Sequence, residues 1–216
     1  LAAEVFAQRT DRLGWLTGDL ATERERGEVF LFTGCTPYYD AFFADLEVET
    51  LAGTRAAVRL LNAVGVAPVV SPDERCCGHD LLWSGDRDNF LRLAALNAKA
   101  MAASGAEELI TACPECYHTL SREYPRYGVA LPLKVTHMHE FLEREIAKGA
   151  VAFKPLEGKI AFQDACRQSR FNDQAELPRK LLKRLTNGTP LVDGGAPSVC
   201  CGNSAWTGCD AFSKRM

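Results

Sequence analysis

The sequence has no long hydrophobic run, no block of basic residues and no secretion signal. No stretch approaches the roughly 18 apolar residues of a membrane-spanning helix, so we expect no direct membrane span. The 28 acidic residues slightly outnumber the 25 basic ones, for a net charge of −3, which argues against a nucleic-acid partner. The start of the chain lacks a basic segment, an apolar segment and a cleavage site, so we expect a cytoplasmic protein.

The composition is that of ordinary globular domains. Hydrophobic residues make up 47% of the chain and charged residues 25%, a balance that disordered proteins do not have. At about 150 residues per domain, the 216 residues fit one large domain or two small ones. Because the sequence opens at Leu1 and not at Met, we expect a piece of a longer polypeptide.

Cysteine is the residue whose number stands out. The nine cysteines are about 4% of the chain, well below the roughly 8–10% of small secreted disulfide scaffolds. An odd number of cysteines in a chain without a secretion signal points to metal or redox chemistry.

Hydrophobic patterning alternates between short apolar runs and segments of helical periodicity. The runs predict strands over 29–32, 67–70, 108–111, 134–136, 159–162 and 190–192. The periodic segments predict helices over 52–64, 87–104, 139–148 and 175–186, with one more starting at Pro114. In the segment 87–104, the face predicted to pack carries Phe90, Ala94, Ala98 and Met101. Such alternation indicates βαβ units with parallel sheets.

The strand–helix pattern restarts near residue 150, where Gly and Pro residues between 149 and 158 indicate a boundary. We therefore predict an α/β protein of two related Rossmann-like βαβ domains, the second incomplete in this chain. The first domain is expected over 28–150 and the second over 151–216. Residues 1–27 are interpreted as a short helix and a solvated connector.

The cysteines of the first domain follow three of its predicted strands. Cys35 follows the first strand, Cys76 and Cys77 follow the second, and Cys113 and Cys116 follow the third. The carboxyl ends of parallel strands lie at one edge of a sheet, so we expect these thiols to meet there. Helix N-termini point to the same edge and favour the thiolate over the thiol.

The cysteine pattern is partly repeated. Cys166 follows the strand predicted over 159–162, and Cys200 and Cys201, followed by Gly, come after the strand over 190–192. In the first copy 35 residues separate Cys77 from Cys113; the same spacing after Cys201 would place another CxxC near residue 237. We therefore expect the second copy to continue beyond Met216.

Five thiols in one copy favour a multi-iron cluster. A structural zinc ion takes four ligands in a tetrahedron, and a fifth thiol would be left over. Adjacent cysteines are poorly placed for a disulfide, whereas neighbouring thiolates can each serve a different iron of an iron–sulfur cluster. A zinc-stabilised interaction module and a thioredoxin-like exchange pair at Cys113 and Cys116 remain alternatives.

The full pattern resembles a known family. Cys35, the sequence Cys76-Cys77-Gly78 and the sequence Cys113-Pro114-Glu115-Cys116 resemble the CCG, or cysteine-rich, domain of the B-type and D-type polypeptides of heterodisulfide reductase. The second copy is similar in Asp164-Ala165-Cys166-Arg167 and in Cys200-Cys201-Gly202-Asn203, although Ala165 stands where the family usually has Pro.

The resemblance implies that each complete motif binds one noncubane 4Fe–4S cluster. The implied ligands are Cys35, Cys76, Cys77, Cys113 and Cys116 for the first cluster, and Cys166, Cys200 and Cys201 with a missing CxxC for the second. The cysteines implied to act in catalysis are Cys35, Cys76, Cys77, Cys166, Cys200 and Cys201. The implied chemistry is the reduction of a small disulfide, or its reverse.

The resemblance also implies partners. They are flavin- or ferredoxin-type electron-transfer subunits and a membrane cytochrome subunit, which would bring the protein to the inner face of the membrane. Residues 1–27 resemble the connector that follows a ferredoxin-like domain in D-type polypeptides, so the resemblance implies such a domain upstream. The alternative function is a non-catalytic electron relay in a hydroxyacid- or quinone-linked complex.

Other residues that could take part in chemistry are given structural interpretations. His79 directly follows the CCG motif and is a candidate donor to a cluster or a substrate, or a loop residue bonded to backbone. His118, His137 and His139 are interpreted as packing or capping residues. Cys209 has no counterpart in the repeat and is interpreted as an ordinary buried thiol.

Overall fold

The computed structural model describes residues 11–156, 158, 160–186 and 191–193, the last three by their backbone alone. The chain divides into two compact units, Leu1–Phe141 and Leu142–Met216. Both units contain parallel strands and helices, which confirms a mixed α/β architecture. The division falls earlier than the linker predicted at 149–158, and the domain limits 28–150 and 151–216 stay a prediction.

The first unit is built on a three-stranded parallel sheet. Its strands are β1 (Val29–Leu31), β2 (Glu108–Thr111) and β3 (Lys134–His137), in the order β1-β2-β3, with Phe30 opposite Leu109. All of β1 and the last three residues of β2 are buried. Such continuous apolar runs are typical of parallel strands covered on both faces.

The strand predicted over 67–70 is reduced to a single bridging residue. The Val69 N–H donates to the carbonyl of Val29 at 2.8 Å, and the Val69 carbonyl accepts from the N–H of Leu31 at 2.9 Å. Pro68 has no N–H to donate, which prevents a longer ladder. The prediction of a full strand was therefore wrong, although Val69 does extend the sheet beyond β1.

Helices separate these strands along the chain. They are α1 (Thr36–Phe42), α2 (Ala52–Ala63), α3 (His79–Ser84), α4 (Arg87–Ser104), α5 (Pro114–His118), α6 (Tyr124–Arg126) and α7 (Met138–Ala147), the last of which continues into the second unit. A π-helical stretch over Thr119–Glu123 joins α5 to α6 without a break.

Helix α4 has the limits that its capping residues predict. The Asp86 carboxylate accepts from the N–H of Asn89 at 3.2 Å, and Gly105 ends the helix with a φ of 64°. Its buried face corrects the sequence-based interpretation, because Asn97 is fully buried and Ala98 is half-buried. Hydrophobicity alone favours Ala98, but the helical step from Phe90 brings Asn97 into the core.

Residues 11–27 contain turns and no helix, and residues 1–10 lie outside the described part of the chain, so the short helix stays a prediction. Arg12, Trp15 and Leu20 are buried, so this part of the segment packs on the first unit. The N–H of Glu23 donates to the carbonyl of Pro68 at 2.9 Å. The charged run over 23–26 is exposed, as its composition predicts.

The second unit contains a two-stranded parallel sheet. Strand β4 (Ile160–Phe162) pairs with β5 (Leu191–Asp193), and helix α8 (Glu176–Leu185) lies between them in sequence. A π-helical turn over Arg167–Phe171 follows β4. The strands predicted over 159–162 and 190–192 and the helix over 175–186 are present within a residue or so at each end.

Candidate functional site

Three cysteine-bearing loops lie at the starts of three helices in the first unit. Cys35 is the N-cap residue of α1, four residues after β1 ends. Cys113 is the N-cap residue of α5, two residues after β2 ends. Cys76 and Cys77 come directly before Gly78, the N-cap residue of α3. The strand–loop–helix order that the sequence predicts thus holds for Cys35 and Cys113, and the CCG loop likewise leads into a helix.

The five thiols of these loops are linked in a chain of pairwise contacts. The Cys35 thiol donates a hydrogen bond to the sulfur of Cys76, and the Cys76 thiol donates to that of Cys77. The single S–H of Cys116 is shared between the sulfurs of Cys77 and Cys113. Cys76, Cys77 and Cys116 are buried, whereas Cys35 and Cys113 are half-buried and form the outer ends of the group.

The pKa is lowered for two of the five thiols and raised for the other three. Hydrogen bonds from Cys116 and Cys76 lower the pKa of Cys77 to about 6, and a hydrogen bond from Cys116 lowers the pKa of Cys113. Donation to Cys76, together with burial, raises the pKa of Cys35, and donation to Cys113 and Cys77 raises the pKa of Cys116. For Cys76, donation from Cys35 favours the thiolate, but donation to Cys77 and burial outweigh it and raise the pKa.

Backbone groups approach the sulfurs closely. The N–H of Gly78 lies 3.5 Å from Cys76 Sγ, and the N–H of Cys116 lies 3.4 Å from Cys113 Sγ. Gly34 has a φ of 63°, and a Cβ on it would lie 3.0 Å from the sulfur of Cys116. A glycine at position 34 therefore serves both the left-handed backbone and the close approach of a thiol.

A buried carboxylate links the loop before Cys35 to the loop before Cys76. Glu74 is 1% exposed and accepts from the N–H of Thr33 at 3.1 Å and from the N–H of Gly34 at 2.7 Å. Arg12 donates to Glu74 and, at 2.8 Å, to the carbonyl of Gly34. Burial raises the pKa of Glu74, and the charge of Arg12 with the Thr33 and Gly34 donors opposes that rise.

A second buried network holds the CCG loop from the side of α4. The Asn97 carbonyl oxygen accepts from the N–H of Arg75 at 2.7 Å, and its amide donates to the Cys76 carbonyl at 3.0 Å. The hydroxyl of Tyr124 accepts from Asn97 and donates to the carbonyl of Cys77, both at 3.1 Å. Sequence reasoning missed Asn97 and Tyr124; the available signal was an Asn at a core position of an amphipathic helix.

Two histidines near the cysteines have acidic neighbours. His79 Nε2 lies 3.8 Å from the carboxylate of Glu115, inside the CPEC motif. His118 is buried, and its Nε2 lies 3.3 Å from the carboxylate of Glu123 one turn on. The structural interpretation of His118 is thus supported. His79 lies next to the CCG loop, and both interpretations of this residue stay predictions.

His137 and His139 have the packing and capping roles that the sequence suggests. The N–H of His139 donates to Nδ1 of His137 at 3.2 Å, and the N–H of His137 donates to Glu140 at 2.8 Å. Burial, together with the nearby His139, lowers the pKa of His137 to about 3. This pair therefore fixes the junction of β3 and α7 with neutral imidazole at position 137.

In the second unit, Cys166 lies four residues after β4 ends, as Cys35 does after β1, and it is half-buried. Asp164, two residues before it, forms a buried two-point ion pair with Arg179, at 3.0 and 2.5 Å. The other expected ligands of this copy, Cys200 and Cys201, lie outside the described residues, as does Cys209.

The donor set of the first unit fits an iron–sulfur cluster by its chemistry. Five soft sulfur donors follow one another in contact, more than one tetrahedral ion takes, and two of them are stabilised as thiolates. Among the residues that the structure describes, no three His, Cys, Asp or Glu side chains are grouped so as to hold a metal ion. The sulfurs meet in a chain of pairwise contacts.

Comparison with known proteins agrees with this donor set. Residues 29–121 match the family model of the CCG cysteine-rich domain, a segment that includes all five thiols. This part of the chain therefore belongs to the CCG cysteine-rich domain family.

Several curated proteins are similar over most of the chain. The D-type polypeptide of dihydromethanophenazine:CoB–CoM heterodisulfide reductase from Methanosarcina acetivorans is 32% identical over 201 residues, 89% of this chain and 46% of that protein. EtfAB:quinone oxidoreductase of Syntrophomonas wolfei is 29% identical over 202 residues, 88% of this chain and 27% of that protein.

The B-type polypeptide of fumarate reductase (CoM/CoB) from Methanothermobacter marburgensis is 31% identical over 148 residues, 68% of this chain and 29% of that protein. The chain thus spans less than half the length of these curated relatives. No solved structure matches it significantly. Within the described residues, none of the helices has the length and apolar character needed to cross a membrane.

Proposed function

We propose that this chain is part of an iron–sulfur oxidoreductase subunit of the heterodisulfide reductase kind, which passes electrons to a small disulfide. The observation that carries the proposal is the meeting of five thiols from three separate loops in one group. The similarity to the D-type polypeptide of heterodisulfide reductase supports the same reaction class.

The proposed ligands of a first noncubane 4Fe–4S cluster are Cys35, Cys76, Cys77, Cys113 and Cys116. Such a cluster supplies and accepts single electrons at a potential that its surroundings set. The chain's own residues hold the sulfurs: three helix starts carry them, and the backbone N–H groups of Gly78 and Cys116 stabilise charge on them. The burial of Cys76, Cys77 and Cys116 keeps water away from the inner side of the group.

The proposed net reaction breaks one sulfur–sulfur bond. A disulfide takes up two electrons and two protons and yields two thiols, so the disulfide is reduced and an electron donor is oxidised. The donor is proposed to be a flavin- or ferredoxin-type subunit in the same complex. A membrane cytochrome subunit is a further proposed partner, which would hold the protein on the cytoplasmic side, at the inner face of the membrane.

The second unit is proposed to be a related Rossmann-like domain with its own cluster. The repeated placement of Cys35 and Cys166, each four residues beyond the end of a strand, supports this relationship. Cys166, Cys200 and Cys201 are the proposed ligands, with a CxxC from residues beyond Met216. Two single-electron centres in one protein would match the two electrons that a disulfide requires.

The test uses the full-length protein purified without oxygen. We expect iron and acid-labile sulfide in equal amounts and an EPR signal after one-electron oxidation or reduction. Cys113→Ser should remove the cluster of the first unit, whereas the control Cys209→Ser, outside the repeat, should keep it. A colourless protein that holds zinc, or no metal, would exclude the proposal.

An electron-relay subunit without substrate chemistry is the second candidate, and the similarity to EtfAB:quinone oxidoreductase favours it. The two candidates differ in their products. A disulfide reductase supplied with a chemical reductant and a small disulfide releases two thiols per turnover, whereas a relay passes electrons to a quinone and releases no thiol.

A further inference from the structure

The buried ion pair between Arg12 and Glu74 lies between two of the cysteine loops. Arg12 is 6% exposed and Glu74 is 1% exposed, so both charges are removed from water. Burying two charges is costly unless their remaining hydrogen-bonding groups are satisfied. Here the polar groups that surround the pair belong to Thr33 and Gly34, the two residues before Cys35.

Glu74 acts on both loops at once. It lies two residues before Cys76 and accepts three hydrogen bonds from the other loop. They come from the Thr33 N–H, the Thr33 hydroxyl at 2.9 Å and the Gly34 N–H at 2.7 Å. A carboxylate with several donors is held in one geometry, so the position of Cys76 is tied to that of Cys35.

Arg12, which lies outside the segment that matches the family, also contacts both loops. It donates to the Thr33 hydroxyl at 3.0 Å, to the Gly34 carbonyl at 2.8 Å and to Glu74. It precedes residues 29–121, which match the cysteine-rich domain. Gly34 in turn lies against the sulfur of Cys116, where an added Cβ would be 3.0 Å away. The charged pair is thus one residue removed from the group of thiols.

We propose that Arg12 and Glu74 are positioning residues of the metal centre, which hold the Cys35 and Cys76 loops in register and set the charge beside them. The effect on charge rests on the proposed cluster. The holding of the two loops concerns the thiols themselves and can be measured in the protein without iron.

The charge aspect predicts a shift of fixed sign for Glu74→Gln. Replacing Arg12 by Gln removes the counter-charge of Glu74: a carboxylate that stays ionised lowers the midpoint potential, and one that takes up a proton leaves the potential unchanged. Replacing Glu74 by Gln leaves a net positive charge and raises the potential. The double variant is neutral and should return toward the wild-type value.

The experiment compares full-length wild type, Arg12→Gln, Glu74→Gln, the double variant and Arg59→Gln. Arg59 forms an exposed ion pair with Asp19 at 3.1 Å and serves as the matched control. The midpoint potential is measured by EPR-monitored redox titration. The alkylation rates of Cys35 and Cys76 by iodoacetamide are measured in the iron-free protein by mass spectrometry, with Cys166 as the internal reference.

We expect both single variants to speed alkylation of Cys35 and Cys76 by about tenfold or more, because the loops open more often. Arg59→Gln should change neither readout. A midpoint potential that does not rise in Glu74→Gln, or that rises in Arg12→Gln, would refute the charge role, and unchanged alkylation would refute the positioning role. If the wild type binds no iron, the proposed function fails, and the alkylation rates still decide the positioning role.

Discussion

At the scale of single residues, buried polar side chains hold the cysteine loops in place. Asn97 and Tyr124 satisfy backbone groups of the CCG loop, and Glu74 satisfies those of the loop before Cys35. Sequence reasoning identified the cysteines, because their spacing is unusual. It missed Asn97 because the apolar pattern of the helix favoured Ala98, and it missed Glu74 because a single acidic residue in a loop carries no periodic signal.

Asn97→Ala should lower the free energy of unfolding by about 3 kcal/mol, since it leaves the Arg75 N–H and the Cys76 carbonyl buried without a partner. Urea unfolding of the iron-free protein measures this loss. Lys99→Ala, on the same helix but outside its buried face, is the control and should stay within about 0.5 kcal/mol of wild type. Equal stability of Asn97→Ala and wild type would contradict the role assigned to this network.

The buried ion pair of Asp164 and Arg179 in the second unit leads to a second prediction about stability. Asp164→Asn leaves the guanidinium of Arg179 buried without its counter-charge, and we expect a loss of about 3–5 kcal/mol. The control is Arg184→Met, which removes a more exposed ion pair with Glu143 and should cost at most about 1 kcal/mol. Thermal unfolding of the full-length protein reports both values, and similar costs for the two variants would count against a special role for the buried pair.

At the scale of elements, the order of strands and helices could be read from the sequence, and the exceptions have physical causes. The strand limits 108–111 and the helix limits 87–104 are confirmed residue by residue. In the segment 67–70, Pro68 interrupts the hydrogen bonds that the apolar pattern suggests. The packing of Arg12 could not be foreseen, because its partner Glu74 is distant in sequence.

The loop before α1 depends on glycine for a reason that a matched pair of variants can isolate. Gly34 and Gly65 both have positive φ values, 63° and 79°, so an alanine at either position is strained by about 1 kcal/mol. A Cβ at position 34 would press on Cys116 Sγ, whereas one at position 65 would meet nothing within 4 Å. We expect Gly34→Ala to lose most of its iron and Gly65→Ala to keep it, as measured by iron analysis of the purified proteins.

At the scale of the whole molecule, the two units share one arrangement: a strand, a short loop and a cysteine at the start of a helix. Cys35 and Cys166 each lie four residues beyond the end of a strand. The sequence repeat anticipated this correspondence. This chain matches less than half of the length of each relative described above.

The repeated arrangement predicts two metal centres in the full-length protein, each of which can be lost without the other. Cys166→Ser should remove the EPR signal of the second cluster and about half of the iron, while the signal that depends on Cys113 remains. If Cys166→Ser removes all iron, or none, the two centres are not independent in the way the repeat implies.

The burial of Arg12 has a consequence for the transfer of this domain into other proteins. A fusion that begins at residue 29, where the family likeness starts, would carry Glu74 without its counter-ion and Val69 without the Glu23 bridge. Such a graft should be harder to load with iron than one that begins upstream of Arg12. A segment that can be moved into another protein should therefore begin before Arg12, upstream of residue 29, where the family match starts.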